Sequence, residues 1–163
     1  MAVGIYVGST SGYSGKNMVV MGLGLRFQKD GLAVGYMKPV GALPKEVEGR
    51  LGDEDAFFVQ DVLGQREDPG QATPVVVTQE FKARAFSGQC GDLMAGIRAG
   101  YETVSRNKDV VVVAGSGSMY SGRYCGVDGV SVVKALGLQA VVIDRFQKEL
   151  NYDYLVVLKE TLG

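Results

Sequence analysis

The sequence predicts an α/β fold, a doubly wound and mostly parallel sheet with helices on both faces. Three observations point there. Short β-branched runs alternate with longer amphipathic stretches from end to end. Val110 to Val113 is an uninterrupted apolar run, the pattern of a central parallel strand covered on both sides. Helical periodicity separates the runs, and a β-α-β-α order closes into a parallel sheet with right-handed crossovers.

Taken in order, Val3 to Val7 reads as the first strand and Lys16 to Lys29 as the helix after it. Ala33 to Met37 is the second strand, and Asp53 to Leu63 a helix opened by three acids. Pro74 to Val77 reads as a third strand, Gln89 to Arg106 as a long helix and Asp109 to Val113 as the central strand. Val127 to Leu136, Gln139 to Ile143 and Gln147 to Leu162 complete the alternation as helix, strand and helix. Leu150, Tyr154, Val157 and Leu158 mark one apolar face of the last. Gly41 to Gly52 and Gln65 to Thr73 are expected to be surface loops near the ligand end, with Pro44 to Asp55 as a hinge or lid. Gly22 and Gly24 read as sites of close helix packing.

Length and composition set the remaining bounds. At 163 residues the chain fits one domain, residues 1–163. A formal charge of -1 leaves no basic field for nucleic acid or an anionic membrane, so neither is expected as a partner. Histidine is absent, which removes Ser-His and Cys-His dyads, histidine metal sites and imidazole proton shuttles together. Cys90 and Cys125 lie far apart in sequence without a secretory signal and read as reduced structural thiols of a cytoplasmic protein. Glycine is in excess, 24 residues against roughly 7% in average usage, and the surplus falls at strand ends, where a backbone must approach a ligand.

The strongest local signal is the first strand, then Gly8-Ser9-Thr10-Ser11-Gly12-Tyr13-Ser14-Gly15-Lys16-Asn17, then a helix. Glycines let backbone N–H groups converge, a helix N-terminus adds partial positive charge, and one lysine reaches the terminal phosphates. Gly8, Ser11, Gly12, Tyr13, Ser14, Gly15, Lys16 and Asn17 are therefore the expected phosphate cradle. The loop is longer than the common phosphate loop, and Asn17 stands where Ser or Thr normally holds magnesium. No G-x-G-x-x-G follows the strand, which argues against a dinucleotide.

Lys38, at the end of strand two, is expected to face the same crevice as Lys16. Gly115, Ser116 and Gly117 follow the valine strand, where small residues either leave room for a substrate or simply let the chain leave the sheet. Asp53 or Asp55 offers a carboxylate to a hard cation such as magnesium. Tyr120, Arg123 and Tyr124 lie just beyond, as crevice wall, interface or plain surface.

Gly8 through Asn17, Tyr36-Met37-Lys38-Pro39-Val40, Asp53-Glu54-Asp55-Ala56 and Val113 through Ser118 together resemble the P-loop family of dethiobiotin synthetase and cobyrinic acid a,c-diamide synthase. Asp144-Arg145-Phe146 and Asn151-Tyr152-Asp153-Tyr154 look most similar to the dethiobiotin synthetase-like N-terminal domain of phosphotransacetylase-type proteins. The resemblance implies a P-loop NTPase-like fold, ATP or ADP as ligand and magnesium as cofactor. It implies that Lys16 holds phosphates, Lys38 steadies the transferring group, and Asp55 with Asn17 attends the metal. Two departures stand out: Asn17 replaces a hydroxyl, and Ala114 replaces the acid that follows the valine strand in the active enzymes. The resemblance also implies further strands beyond this point, so a domain truncated at its C-terminal edge is an expectation.

Three functions follow as expectations. The first is a P-loop domain that senses or holds ATP or ADP as a regulatory or catalytically weakened unit. It would act as a homo-oligomer or beside a further domain. The second is an ATP-dependent ligase that activates a carboxylate with magnesium. The third is a scaffold that has lost nucleotide binding.

Overall fold

The computed structural model describes residues 2–145 and 150–163. Its centre is a four-stranded, all-parallel sheet of β1 (Val3–Ser9), β2 (Val34–Met37), β7 (Val110–Ala114) and β8 (Gln139–Ile143), ordered β2-β7-β1-β8. The valine strand is central, as its sequence demands. Val111 and Val113 point into one apolar core with Ile97, Val104, Val130 and Leu158, while Val110, Val112 and Ala114 point into the other with Val20, Ala56 and Val59. Successive side chains alternate across a strand, so an all-apolar run is stable only when both faces are covered. The first face is covered by α5 (Leu93–Val104), α6 (Gly129–Leu136) and α7 (Leu150–Leu162), the second by α1 (Lys16–Lys29) and α2 (Glu54–Val62).

Several elements differ from the sequence expectation, each for a local reason. The third expected strand shrinks to β6 (Val75–Val76) and pairs outside the main sheet with β3 (Val40–Gly41). Pro39 carries no N–H, so β2 ends before it and the chain resumes pairing one step aside. The stretch expected to be an irregular lid holds an antiparallel hairpin of β4 (Pro44–Val47) and β5 (Arg50–Asp53), exposed except at Gly52 and Asp53, which are buried. Glu48 and Gly49, at φ 51° and 73°, form the two-residue turn whose twist suits such a hairpin. The second loop contains a short helix, α3 (Pro69–Ala72), capped by Asp68.

The long helix expected from Gln89 begins only at Leu93, because Asp92 accepts the Ala95 N–H as a cap and Gly91 sits at φ 66°. A separate helix that periodicity did not reveal, α4 (Gln79–Phe86), precedes it behind a Thr78 cap. In α7 the expected stripe holds for buried Leu158 and half-buried Tyr154, but Val157 faces solvent at 54% exposure. Gln147 to Glu149 lie outside the described residues. Gly24 packs as expected: a Cβ there would sit 2.6 Å from Leu63. Gly22 has open space around it instead. No described helix is long and apolar enough to cross a membrane.

Candidate functional site: a phosphate loop with paired lysines

The strand order sets four chain exits in a row at the carboxyl edge of the sheet: Lys38 after β2, Gly115 after β7, the glycine-rich loop after β1 and Asp144 after β8. That edge is where open α/β sheets bind ligands. A cleft of about 370 Å³ opens there, lined by the loop from Gly12 to Asn17 together with Lys38, Asp55 and Gly115 to Gly117. The structure thus brings together Lys16, Lys38, Asn17, Asp55 and the small-residue turn, which are dispersed over a hundred residues of sequence.

The loop turns on two left-handed residues, Tyr13 at φ 54° and Gly15 at φ 90°. Gly15 is the N-cap of α1, and no side chain caps the helix; no acid lies in its first turn. The first N–H groups of α1 are therefore left to an external acceptor, at the positive end of the helix dipole. Ser14 Oγ is buried without a hydrogen-bond partner among the described residues. A buried unpaired hydroxyl costs free energy unless something accepts from it, so its place in this cup fits an anionic oxygen.

Lys16 folds back over the loop rather than off the sheet. Its Nζ donates to Ser9 Oγ at 2.8 Å and to the Gly117 carbonyl at 2.9 Å. Ser9 is fully buried, and its Oγ in turn reaches the Ser11 and Gly117 carbonyls at 2.6 and 2.9 Å. Burial first, then the neighbouring charge of Lys38, lowers the Lys16 pKa, with Asp55 opposing. Of the two groups that seat the lysine, Ser9 was not singled out from sequence, and Gly117 was expected to leave room for a substrate and not to accept from Lys16. The available signal was a hydroxyl ending an otherwise apolar strand.

Lys38 is 4% exposed and lies 2.6 Å from Asp53 Oδ1 and 3.0 Å from Asp55 Oδ2. The two acids divide their work. Asp53 is wholly buried, caps α2 by accepting the Ala56 N–H, and accepts the Leu43 N–H as well, so its role is to hold Lys38 and the helix. Asp55 is on the cleft side, which it lines together with Asn17. Burial alone would raise the Asp55 pKa, but the hydrogen bonds from Asn17 and Lys38 and the charges of both lysines outweigh it and hold the carboxyl below its ordinary value.

The glycines serve packing as much as ligand access. Gly8 is buried inside β1, where a Cβ would collide with the Met119 side chain, so it stands behind the cup and not on its surface. A Cβ on Gly115 would lie 2.8 Å from the Tyr6 hydroxyl. Gly117, at φ 60°, turns its carbonyl to Lys16. Gly12 and Gly15 have nothing within 4 Å of a virtual Cβ, as an open cup requires.

On the far side of the loop the Thr10 hydroxyl donates to Asp144, which also accepts from the Asn151 amide at 3.0 Å. The Thr10 hydrogen bond, followed by that of Asn151, lowers the Asp144 pKa. A larger cavity, about 580 Å³, opens on the other side of Asp55 between the hairpin and α2. Two of its cations, Lys45 and Arg50, are already paired with Glu54 and Asp68, which makes it a poor anion site. No group of three or more metal-ligating side chains occurs among the described residues.

Comparison with known proteins agrees with this geometry. An ATP-dependent dethiobiotin synthetase of Methanocaldococcus jannaschii is 27% identical over 147 residues, covering 86% of this chain and 65% of the relative. The chain therefore spans just under two thirds of that relative's length. The AAA domain family matches residues 3–162, nearly the whole chain. With a glycine-rich loop at the head of α1 and a lysine folded into it, the chain belongs to the AAA domain family, as a P-loop domain similar to that synthetase.

Proposed function

We propose that the chain binds ATP or ADP by its phosphates in the cup of residues 11 to 17, as a regulatory or catalytically weakened domain. The observation that carries the binding is the uncapped start of α1 with Ser14 Oγ unpaired beside it and Lys16 within reach. Lys16 moves from Ser9 and Gly117 to the phosphates, exchanging two neutral acceptors for charged ones.

Weakened turnover rests on the state of the acids. Asp55 and Asn17 are the residues that would hold magnesium, since a carboxylate and an amide oxygen are hard donors that share one edge of the cleft. Magnesium would neutralise charge on the phosphates. Lys38 already engages Asp55 Oδ2 at 3.0 Å, however, and Ala114 is buried and offers no ligand. Calorimetric titration with ATP and ADP, with and without magnesium, on the native chain and on Lys16→Ala tests the proposal. Millimolar nucleotide without heat of binding overturns it, and brisk magnesium-dependent turnover overturns its weakened part.

A second reading is favoured by one further feature. An apolar cavity of about 190 Å³, lined by Val40, Val75, Phe81 and Val127, meets the cleft at Ala42 and Ser116. Under this reading the cavity takes the hydrocarbon part of an acceptor whose carboxylate or carbamate is phosphorylated at Lys38. The relative's name, an ATP-dependent synthetase, supports it. It predicts phosphate release that requires both magnesium and an acceptor. A homo-oligomer or an adjoining domain is proposed with either reading.

A further inference from the structure

Cys90 and Cys125, 35 positions apart in sequence, are neighbours in the fold. Cys90 lies in the turn between α4 and α5, and Cys125 ends the 3-10 turn Arg123–Cys125. Both thiols are free and half-buried. The Cys90 thiol donates to the Ala85 carbonyl at 3.9 Å and the Cys125 thiol to the Gly122 carbonyl at 3.3 Å, and both side chains pack against the same apolar core.

A second contact holds the same two segments together. Phe86, the last residue of α4, stacks on Tyr124 with ring centroids 5.3 Å apart and planes 13° from parallel. Both rings are largely exposed, at 77% and 52%, so the stack braces the surface beside the thiols. Gly88 and Gly91 flank Cys90, and Gly122 and Gly126 flank Cys125, all at positive φ. Disulfide geometry requires the Cα atoms to come within about 7 Å, an adjustment that glycine-flanked turns make more readily than helices. Neither thiol has a part in the phosphate cup.

We propose that Cys90 and Cys125 are a modification site, a dithiol that closes to an intramolecular disulfide by exchange with a low-molecular-weight disulfide such as oxidised glutathione. One protein thiolate attacks a glutathione sulfur, its proton going to water, and glutathione thiolate leaves. The second protein thiolate then displaces the other glutathione from the mixed disulfide. The protein loses two hydrogens, and one oxidised glutathione becomes two reduced molecules. Burial, and next the Cys90 neighbour, push the Cys125 thiol up, which lowers its share of thiolate. Closure pins the 3-10 turn, and with it the Cys125 and Tyr124 wall of the 190 Å³ cavity, to the α4–α5 turn.

The test treats the full chain with oxidised glutathione and maps the products by mass spectrometry, folded and in urea. The expected result is a Cys90–Cys125 crosslink that forms ~10-fold or more faster in the folded chain, because the fold raises the effective concentration of one thiol at the other. Cys90→Ser and Cys125→Ser each stop at a single glutathione adduct. Amide exchange across residues 122–127 slows in the crosslinked chain. Two glutathione adducts, crosslinks between chains, or equal rates folded and unfolded overturn the proposal. Unchanged exchange in fully crosslinked protein overturns the pinning of the cavity wall.

Discussion

The Lys38 ammonium and the Asp53 carboxylate lie 2.6 Å apart, at 4% and 0% exposure, beneath the floor of the phosphate cleft. Taking either partner away leaves a charge with almost no access to water. The loss of one partner of a buried pair costs about 3–5 kcal/mol, although the Leu43 and Ala56 N–H groups soften this for Asp53. Lys38→Met is expected to lower the melting temperature strongly, and Lys38→Met with Asp53→Asn to recover part of the loss. Thermal unfolding of the three variants checks this; additive effects would show that the two side chains are not a pair.

Lys16→Ala is expected to weaken ADP binding by roughly 10-fold or more, as loss of a charged hydrogen bond worth about 1.5–3 kcal/mol implies. Calorimetry at fixed ionic strength measures it. Stability should change little, because the lysine's partners Ser9 Oγ and Gly117 O keep their own mutual hydrogen bond.

The alkaline limb of nucleotide binding should depend on Asp55. Burial and Lys38 lower the Lys16 pKa while Asp55 raises it, so the cation that binds phosphate is lost as pH rises through a value below that of an ordinary lysine. Asp55→Asn removes the opposing negative charge and moves this loss to still lower pH. The midpoint of ADP affinity against pH, without magnesium, reports the shift; an unmoved or raised midpoint contradicts the coupling.

Acid should loosen the same corner. The folded Asp55 pKa lies below its ordinary value of 3.8, so its stabilising effect is complete above that value and is lost as pH falls through the lower, folded one. Asp55→Asn should therefore unfold with less dependence on pH in that acid window than the native chain, as read by circular dichroism.

Gly8→Ala is expected to cost about 1–3 kcal/mol by overpacking, because the added methyl meets the Met119 side chain and the Tyr6 ring. Denaturant melts measure the loss. Gly12→Ala, with open space at the same distance, should stay close to native stability.

Much of this protein was legible in its residues. A four-valine run can be stable only with both faces covered, and glycines before a lysine at a helix start favour an anion, because these are properties of the backbone and of apolar surface. The central strand, the extent of α1 and the pattern of the loop all follow from them. What the tertiary structure decided is proximity between distant segments. The order β2-β7-β1-β8 sets Lys38 and Lys16 on one cleft, makes Asp53 a buried partner while leaving Asp55 in the cleft, and seats Lys16 on Ser9 and Gly117, while the stack of Phe86 on Tyr124 joins the segments of Cys90 and Cys125. Local periodicity records which face of an element is buried, and carries no record of which other element buries it.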